Sequence, residues 1–168
     1  HIYRSAVGQV PDCPEMAMIS LILVDDEEDL LEVARHFLER SGDIRVETAT
    51  SASRALEMHR NRPGDAIVSD FQMPGMDGIE FLKKLRGEGD TTPFIILTGK
   101  GREQVAIEAL NLGADFYLQK GGDPRALFTE LENMVRKSVK NHHADRVFLE
   151  SEQRYRAVVE DQTELISR

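Results

Sequence analysis

Cysteine, tryptophan and long apolar runs are scarce or missing in this 168-residue sequence, and each absence excludes a class of protein. The single cysteine, Cys13, excludes an internal disulfide framework and is typical of a reducing compartment. No apolar run approaches the roughly 18 residues that a transmembrane helix needs. The first 15 residues lack the continuous apolar segment of a signal peptide. We therefore expect a cytoplasmic protein that does not associate with a membrane.

Positive charge is also in short supply. The sequence has 21 lysines and arginines against 30 aspartates and glutamates, which gives a formal net charge of −9. Such a surface repels phosphate backbones, and no cluster of basic residues is dense enough to attract them, so we expect no direct binding to nucleic acid. Apolar residues make up 40% and charged residues 30%, as in ordinary globular proteins.

Short apolar runs alternate with helical patterns from Ile19 to about residue 140. The runs predict strands over residues 19–24, 44–49, 66–70, 93–99 and 114–120. After each strand, apolar residues recur every three or four positions, which predicts an amphipathic helix. These (βα)₅ units predict an α/β fold of the flavodoxin-like, doubly wound type, with a parallel five-stranded sheet in the order 2-1-3-4-5. The second strand alternates polar and apolar residues, as a strand near the sheet edge does.

The predicted fold divides the chain into three parts. Residues 1–18 form an N-terminal extension, either native or added, residues 19–140 form the α/β domain, and residues 141–168 form a helical extension without glycine or proline. A short heptad-like pattern runs through this extension at Ala144, Phe148, Ser151, Tyr155 and Val158. The pattern predicts either a helix that pairs with a second copy of the chain or an exposed single helix.

Acidic, basic and hydroxyl side chains stand at the carboxyl ends of the predicted strands. They are Asp25 and Asp26 after strand 1, Asp70 at the end of strand 3, Thr98 in strand 4 and Lys120 in strand 5. Because the carboxyl ends of parallel strands share one edge of the sheet, we expect these residues to meet in one crevice. Three carboxylates repel one another unless a cation lies among them, and oxygen ligands favour Mg²⁺, with Mn²⁺ as the alternative. The lysine and the hydroxyl supply the charge and the donor that a phosphoryl group needs.

Four motifs at these positions carry a family resemblance. They read LVDDE (23–27), SDFQMPGMDG (69–78), LTGKG (97–101) and YLQKGGDP (117–124). In this order and context the chain resembles the receiver domain of two-component response regulators over roughly residues 19–140. The resemblance implies a signalling domain, rather than an enzyme in the usual sense, that accepts a phosphoryl group from the phosphohistidine of a histidine kinase or a phosphotransfer protein.

The same resemblance implies roles for individual residues. Asp70 matches the phosphoacceptor, and Lys120 matches the residue that pairs with the phosphoryl group. Asp26 matches a direct Mg²⁺ ligand and Asp25 a ligand that acts through water. The backbone carbonyl of Gln72 matches a third protein ligand.

Further matching positions concern switching and the lifetime of the phosphoryl group. Thr98 matches its hydrogen-bond donor, Gly99 the small residue that leaves room for it, and Tyr117 the aromatic residue whose rotamer couples to Thr98. The resemblance implies that phosphorylation changes the surface of helix 4, strand 5 and helix 5 and so controls a C-terminal output. That surface, or the C-terminal helix, is also where a homodimer is expected. Gln72 and Lys100 match positions that influence hydrolysis, but the sequence does not indicate in which direction.

One departure and three alternatives stand beside this interpretation. The family usually places proline directly after the lysine, whereas Gly121 and Gly122 follow Lys120 here, which puts the way the lysine is held in doubt. A pseudo-receiver, an interaction module without phosphotransfer, usually lacks one of the acids, the threonine or the lysine. A flavodoxin-type FMN site needs a loop rich in glycine and hydroxyls after strand 1, where the acidic DDEED stands. A phosphatase with an aspartyl nucleophile on strand 1 needs a second acid two residues later followed by threonine or valine, which DDEED does not match.

The last 15 residues carry a second resemblance. Residues 154–168, RYRAVVEDQTELISR, resemble the opening helix of a PAS domain. The resemblance implies that a PAS domain follows in a longer protein, together with a histidine kinase or another output module.

Overall fold

The computed structural model describes residues 18–167, with side chains described over residues 18–147. The predicted N-terminal extension therefore lies outside the described residues, except for Met18. The strands are β1 (Ile19–Val24), β2 (Ile44–Ala49), β3 (Ala66–Asp70), β4 (Phe94–Thr98) and β5 (Phe116–Gln119). The helices are α1 (Glu28–Glu39), α2 (Ala52–Asn61), α3 (Gly78–Gly87), α4 (Glu103–Asn111) and α5 (Pro124–Ser167).

The five strands form one parallel sheet in the order β2-β1-β3-β4-β5, which confirms the predicted topology. Every residue of β3 and β4 is buried, because helices cover both faces of the sheet at its centre. The strand β2 lies at one edge, as its alternating pattern predicts, and keeps exposed residues between buried ones.

Two apolar layers hold the helices on the sheet. One face packs against α2, α3 and α4, with Leu56, Leu82 and Ala109 among the buried contacts. The opposite face packs against α1 and α5, where Leu38 and Leu131 are buried. This doubly wound arrangement follows from right-handed strand–helix–strand connections. A connection toward β2 places its helix on one face of the sheet, and a connection toward β5 places its helix on the other. It also leaves the carboxyl ends of the strands free of helices, and there the connecting loops form a crevice.

The start of β5 differs from the sequence prediction. The helix ends at Asn111, and the strand predicted from residue 114 begins only at Phe116. Gly113 adopts a left-handed conformation with φ of 104°, and its N–H donates to the carbonyl of Leu110. The N–H of Ala114 donates to the carbonyl of Ala109, so a Schellman motif closes the helix. Ala114 is therefore part of a helix cap, and its predicted place in the strand is wrong.

The last helix, α5, is a single helix of 44 residues. It runs without a break past residue 140, where the sequence predicts the domain to end, and through the segment that resembles a PAS opening. The side chains of that segment lie outside the described part of the chain. None of the helices over residues 18–167 is long and apolar enough to cross a membrane.

Candidate functional site

Three carboxylates meet at the carboxyl ends of β1 and β3. Asp25, Asp26 and Asp70 each place an oxygen so that these atoms lie within 4.8 Å of one another. The two strands are neighbours in the sheet, which is why residues 45 positions apart in the chain come together. Asp25 and Asp70 are buried, whereas Asp26 is exposed. An all-oxygen cluster of this kind fits a hard divalent cation such as Mg²⁺.

Lys120 approaches two of these acids from β5. Its Nζ lies 3.1 Å from Oδ2 of Asp25 and 3.2 Å from Oδ1 of Asp70. The backbone N–H of Lys120 donates to the carbonyl of Thr98 over 2.7 Å, which continues the pairing of β5 with β4. The lysine is therefore held at the crevice even though Gly121 and Gly122 replace the proline of the family pattern, with φ values of 124° and 75°.

The crevice changes the acidity of the groups that form it. Burial and the neighbouring carboxylate of Asp25 raise the pKa of Asp70 to about 6, against the opposing charge of Lys120. Burial lowers the pKa of Lys120, but the hydrogen bond to Asp25 and the charge of Asp70 outweigh burial, so its pKa lies above the ordinary value. Lys120 therefore stays charged. The raised pKa means that the charged form of Asp70 is destabilised, and a nearby cation would stabilise it.

Open space remains beside the acids. A crevice of about 600 Å³ is lined by Asp26, Asp70, Gln72, Gly99 and Lys120, among others. A Cβ built on Gly99 meets no atom within 4 Å, so the wall is open at this glycine. The crevice therefore has room for a group the size of a phosphoryl beside the acids and the lysine.

The loop after Asp70 turns back on itself to frame the crevice. The N–H of Gly78 donates to the carbonyl of Phe71 over 2.9 Å, and Met73 is buried beneath the loop. A Cβ on Gly78 would lie 2.6 Å from the backbone oxygen of Asp70, so only glycine permits this approach. Asp77 caps α3 and forms a capping box with Glu80.

The remaining predicted residues lie around the crevice at different depths. Thr98 is buried at the end of β4, and Leu97, the residue before it, pairs with Asp70. Tyr117 is 44% exposed on β5 and Lys100 is exposed in the loop before α4. Thr98, Tyr117 and Lys100 are not among the residues that line the crevice described above. The structure thus brings Asp25, Asp26, Asp70, Gln72, Gly99 and Lys120 together and leaves Tyr117 and Lys100 at the periphery.

Two contacts at the crevice were not predicted. The N–H of Glu27 donates to Oδ1 of Asp25 over 2.9 Å, and this hydrogen bond fixes the orientation of the Asp25 carboxylate. Arg102 donates from Nη2 to the side-chain oxygen Oε1 of Gln72 over 3.2 Å. The first contact is the local turn that an aspartate often forms with the residue two positions later. The second joins residues 30 positions apart, and nothing in the sequence pairs them.

Comparison with known proteins decides the family. The family model for the response regulator receiver domain matches residues 21–132, which include all four sequence motifs. The chain belongs to the response regulator receiver family. Members of this family use Mg²⁺ at an acidic pocket and interact with histidine kinases or phosphotransfer proteins.

Individual response regulators are similar to this chain in sequence and in structure. The response regulator SaeR of Staphylococcus aureus strain USA300 is 36% identical over 126 residues, which are 75% of this chain and 54% of SaeR. The receiver thus spans about half the length of the curated relatives it matches. A receiver domain protein from Clostridium thermocellum has 26% identity and a TM-score of 0.68, and covers 76% of this chain and 98% of its own. The chemotaxis protein CheY4 of Vibrio cholerae has 32% identity and a TM-score of 0.62, with coverage of 70% and 99%.

Proposed function

We propose that the receiver accepts a phosphoryl group on Asp70 from the phosphohistidine of a histidine kinase or a phosphotransfer protein. The observation that carries the proposal is the position of the Asp70 carboxylate, which is buried, lies 3.2 Å from Lys120 and belongs to a cluster with Asp25 and Asp26. A carboxylate used only as a helix cap would not need a lysine and two further acids beside it. The role of the domain is signalling, with phosphotransfer and hydrolysis on itself as its only chemistry.

Asp70 acts as the nucleophile of this transfer. One of its carboxylate oxygens attacks the phosphorus in line, the new P–O bond forms, and the P–N bond to the donor histidine breaks with its electron pair returning to the imidazole. Lys120 pairs with the phosphoryl oxygens, and Thr98 donates a hydrogen bond to one of them. Gly99 leaves the space through which the phosphoryl group enters.

Asp25, Asp26, Asp70 and the backbone carbonyl of Gln72 are the proposed protein ligands for Mg²⁺, with Mn²⁺ as the alternative. The exposed Asp26 is the direct ligand, whereas Asp25, already engaged by Lys120 and by the N–H of Glu27, acts through water. When bound, Mg²⁺ supplies positive charge opposite the oxygens of the phosphoryl group.

Phosphorylation of Asp70 is proposed to change the surface formed by α4, β5 and α5. The new oxygens draw Thr98 toward the crevice, and Tyr117, which is 44% exposed, rotates inward into the space that Thr98 leaves. Because the ring then no longer lies on the surface, a partner that contacts α4 and β5 distinguishes the two states. This surface controls an output that lies C-terminal to the receiver.

Intact-mass spectrometry tests the phosphoacceptor. We expect acetyl phosphate with Mg²⁺ to add the mass of one phosphoryl group to the wild-type protein, and a chelator to prevent the addition. The variant Asp70→Asn should stay unmodified under the same conditions. If the folded wild-type protein also stays unmodified, the chain is a pseudo-receiver and the proposal is wrong.

The C-terminal part of α5 is proposed to link the receiver at residues 19–140 to the output and to pair with a second copy. The length of α5 and the heptad-like pattern from Ala144 to Val158 support this proposal, and the PAS resemblance at residues 154–168 suggests the output. Sedimentation velocity with and without beryllofluoride and Mg²⁺ tests the pairing. We expect Phe148→Glu to abolish a dimer formed through α5, whereas Ile107→Glu, at a residue 53% exposed on α4, would abolish one formed through α4 and β5.

A further inference from the structure

Arg102 contacts both residues that directly follow Asp70. Its Nη2 donates to Oε1 of Gln72 over 3.2 Å, and its Cζ lies 5.5 Å from the centre of the Phe71 ring. Arg102 immediately precedes α4, so these contacts connect the loop after β4 to the loop after β3. No sequence motif of the family resemblance includes this arginine, and no step of the proposed phosphotransfer uses it.

The chemistry of the two side chains decides which end of the Gln72 amide is engaged. A guanidinium group only donates hydrogen bonds, so its partner must be the amide oxygen and not the amide nitrogen. The NH₂ group of the amide takes no part in this bond, and it can only donate hydrogen bonds. Held in this way, Gln72 lines the crevice beside Asp70 with its side-chain oxygen directed at Arg102 and one of the two lone pairs of that oxygen already used.

An acceptor at this position matters for hydrolysis of the phosphorylated aspartate. In that reaction the oxygen of a water molecule attacks the phosphorus, the P–O bond to Asp70 breaks, and the products are the free carboxylate and inorganic phosphate. The proton that the attacking water gives up goes to an oxygen of the departing phosphate or to solvent, and a nearby hydrogen-bond acceptor orients the water for attack. A glutamine oxygen has two lone pairs, so a guanidinium group bonded to one of them leaves only the other for the water and fixes the direction in which the oxygen points, which makes this hydrogen bond harder to form.

We propose that Arg102 is a positioning residue that lengthens the lifetime of the phosphoryl group on Asp70 by occupying the side-chain oxygen of Gln72. The proposal rests on the proposed function of Asp70 and adds a direction to the effect of Gln72 on hydrolysis. The aromatic ring of Phe71 keeps the guanidinium group near the loop, since cations are attracted to the face of such a ring.

The rate of dephosphorylation tests the proposal in four proteins after removal of acetyl phosphate: wild type, Arg102→Ala, Gln72→Ala and the double variant. We expect Arg102→Ala to speed hydrolysis about fivefold, the factor that corresponds to the loss of one hydrogen bond. In the Gln72→Ala background, removal of Arg102 should have no further effect. Arg54→Ala removes an equal charge from α2, where Arg54 pairs with Glu57, and should leave the rate unchanged.

A spectroscopic measurement separates this proposal from the proposed function. In the unphosphorylated protein, the side-chain amide resonances of Gln72 should shift in Arg102→Ala and stay in place in Arg54→Ala. An unshifted Gln72 amide, an unchanged or slower hydrolysis in Arg102→Ala, or an equal acceleration in the Gln72→Ala background would each overturn the role of Arg102. A wild-type protein that takes no phosphoryl group at all overturns the proposed function, and the role of Arg102 in lifetime with it, even if the amide shifts.

Discussion

The charge balance around Asp70 governs what the crevice binds. Three carboxylates lie within 4.8 Å of one another, and one ammonium group contacts two of them, so three negative charges face one positive charge. The carboxylates repel one another strongly, because Asp25 and Asp70 are buried away from solvent and water does not screen their charges. A bound divalent cation would remove this excess, so that in the proposed transfer a phosphoryl group would meet Lys120 and the cation instead of bare carboxylates.

The raised pKa of Asp70 predicts a pH-dependent gain in stability for Asp70→Asn in the presence of a chelator. The pKa is about 6 in the folded protein against an ordinary value of 3.8, so the folded state binds more protons between these values and loses stability as the pH rises through them. At pH 7 we expect the variant to exceed the wild type by up to about 3 kcal/mol in free energy of unfolding. Below pH 4 the difference should vanish. Urea denaturation across this pH range measures the difference, with Asp145→Asn, at an exposed residue, as the control. The same pH dependence in both variants would contradict the prediction.

Removal of Asp26 predicts a loss of metal binding without a loss of fold. Mg²⁺ should raise the melting temperature of the wild type, because it binds the folded carboxylate cluster and not the unfolded chain. In Asp26→Asn the same concentration of Mg²⁺ should raise it much less, since an exposed ligand is lost while Asp25 and Asp70 stay in place. Thermal unfolding at several Mg²⁺ concentrations measures the difference. Equal stabilisation of both proteins would place the cation elsewhere.

Among the elements, the loop from β3 to α3 is closed by a backbone hydrogen bond between Gly78 and Phe71. It leaves a buried strand at Asp70 and returns to it within eight residues through the N–H of Gly78. The capping box of Asp77 and Glu80 then starts α3 at the residue where the loop closes. This geometry holds Asp70 in place and sets the position of Gln72 at the mouth of the crevice.

Gly78→Ala should therefore destabilise the fold far more than Gly87→Ala in the same helix. The added Cβ at Gly78 would lie 2.6 Å from the backbone oxygen of Asp70, and backbone must move to accommodate it, at about 1 to 3 kcal/mol. At Gly87 a Cβ meets nothing within 4 Å, and alanine is the better helix former, so the change should lie within about 1 kcal/mol on the stabilising side. Chemical denaturation of the two variants measures both values. Equal effects would mean that the loop relaxes around the new side chain.

At the scale of the whole molecule, the first part of α5 packs on the sheet, and this packing sets the direction in which the rest of the helix continues. Leu131 and Val135 are buried against the sheet, and on the neighbouring side Arg136 reaches the loop between α1 and β2. Its Nη1 lies 2.6 Å from Asp43, and its Nη2 lies 2.8 Å from Glu132. Apolar packing thus holds the helix on the sheet, and this charged contact sets its rotation at the amino ends of the strands.

Asp43→Asn should weaken that attachment in a pH-dependent way. The hydrogen bond from Arg136, with a second from Ser41, holds the pKa of Asp43 well below its usual range. A lowered pKa gives stability that is present above the unfolded value of 3.8 and is lost as the pH falls below it. Because 37% of the Asp43 side chain is exposed, solvent screening limits the effect to about 1 kcal/mol at pH 7. Unfolding of wild type and variant at pH 7 and below pH 3 should show the difference shrinking, and a constant difference would contradict the ionic origin.

Most of the fold follows from local patterns in the sequence. Apolar runs with helical spacing between them specify the strands and helices, and the handedness of the connections restricts the order of the strands. The convergence of Asp25, Asp70 and Lys120 also follows, because the carboxyl ends of neighbouring parallel strands share one edge. The start of β5 does not follow, since Ala114 is apolar whether it begins a strand or closes a Schellman motif.

The α/β topology, the edge position of β2 and the acids, threonine and lysine of the candidate site are all predictable from the order of the residues. These features depend on short-range periodicity and on residues at strand ends, which are visible along one dimension. Three contacts become visible only in the folded chain: Lys120 bridges Asp25 and Asp70, Arg102 engages Gln72, and Gly78 leaves no space for a Cβ. Each of these contacts joins separate segments at distances of a few ångströms, and no local propensity encodes which side chain meets which partner across a crevice.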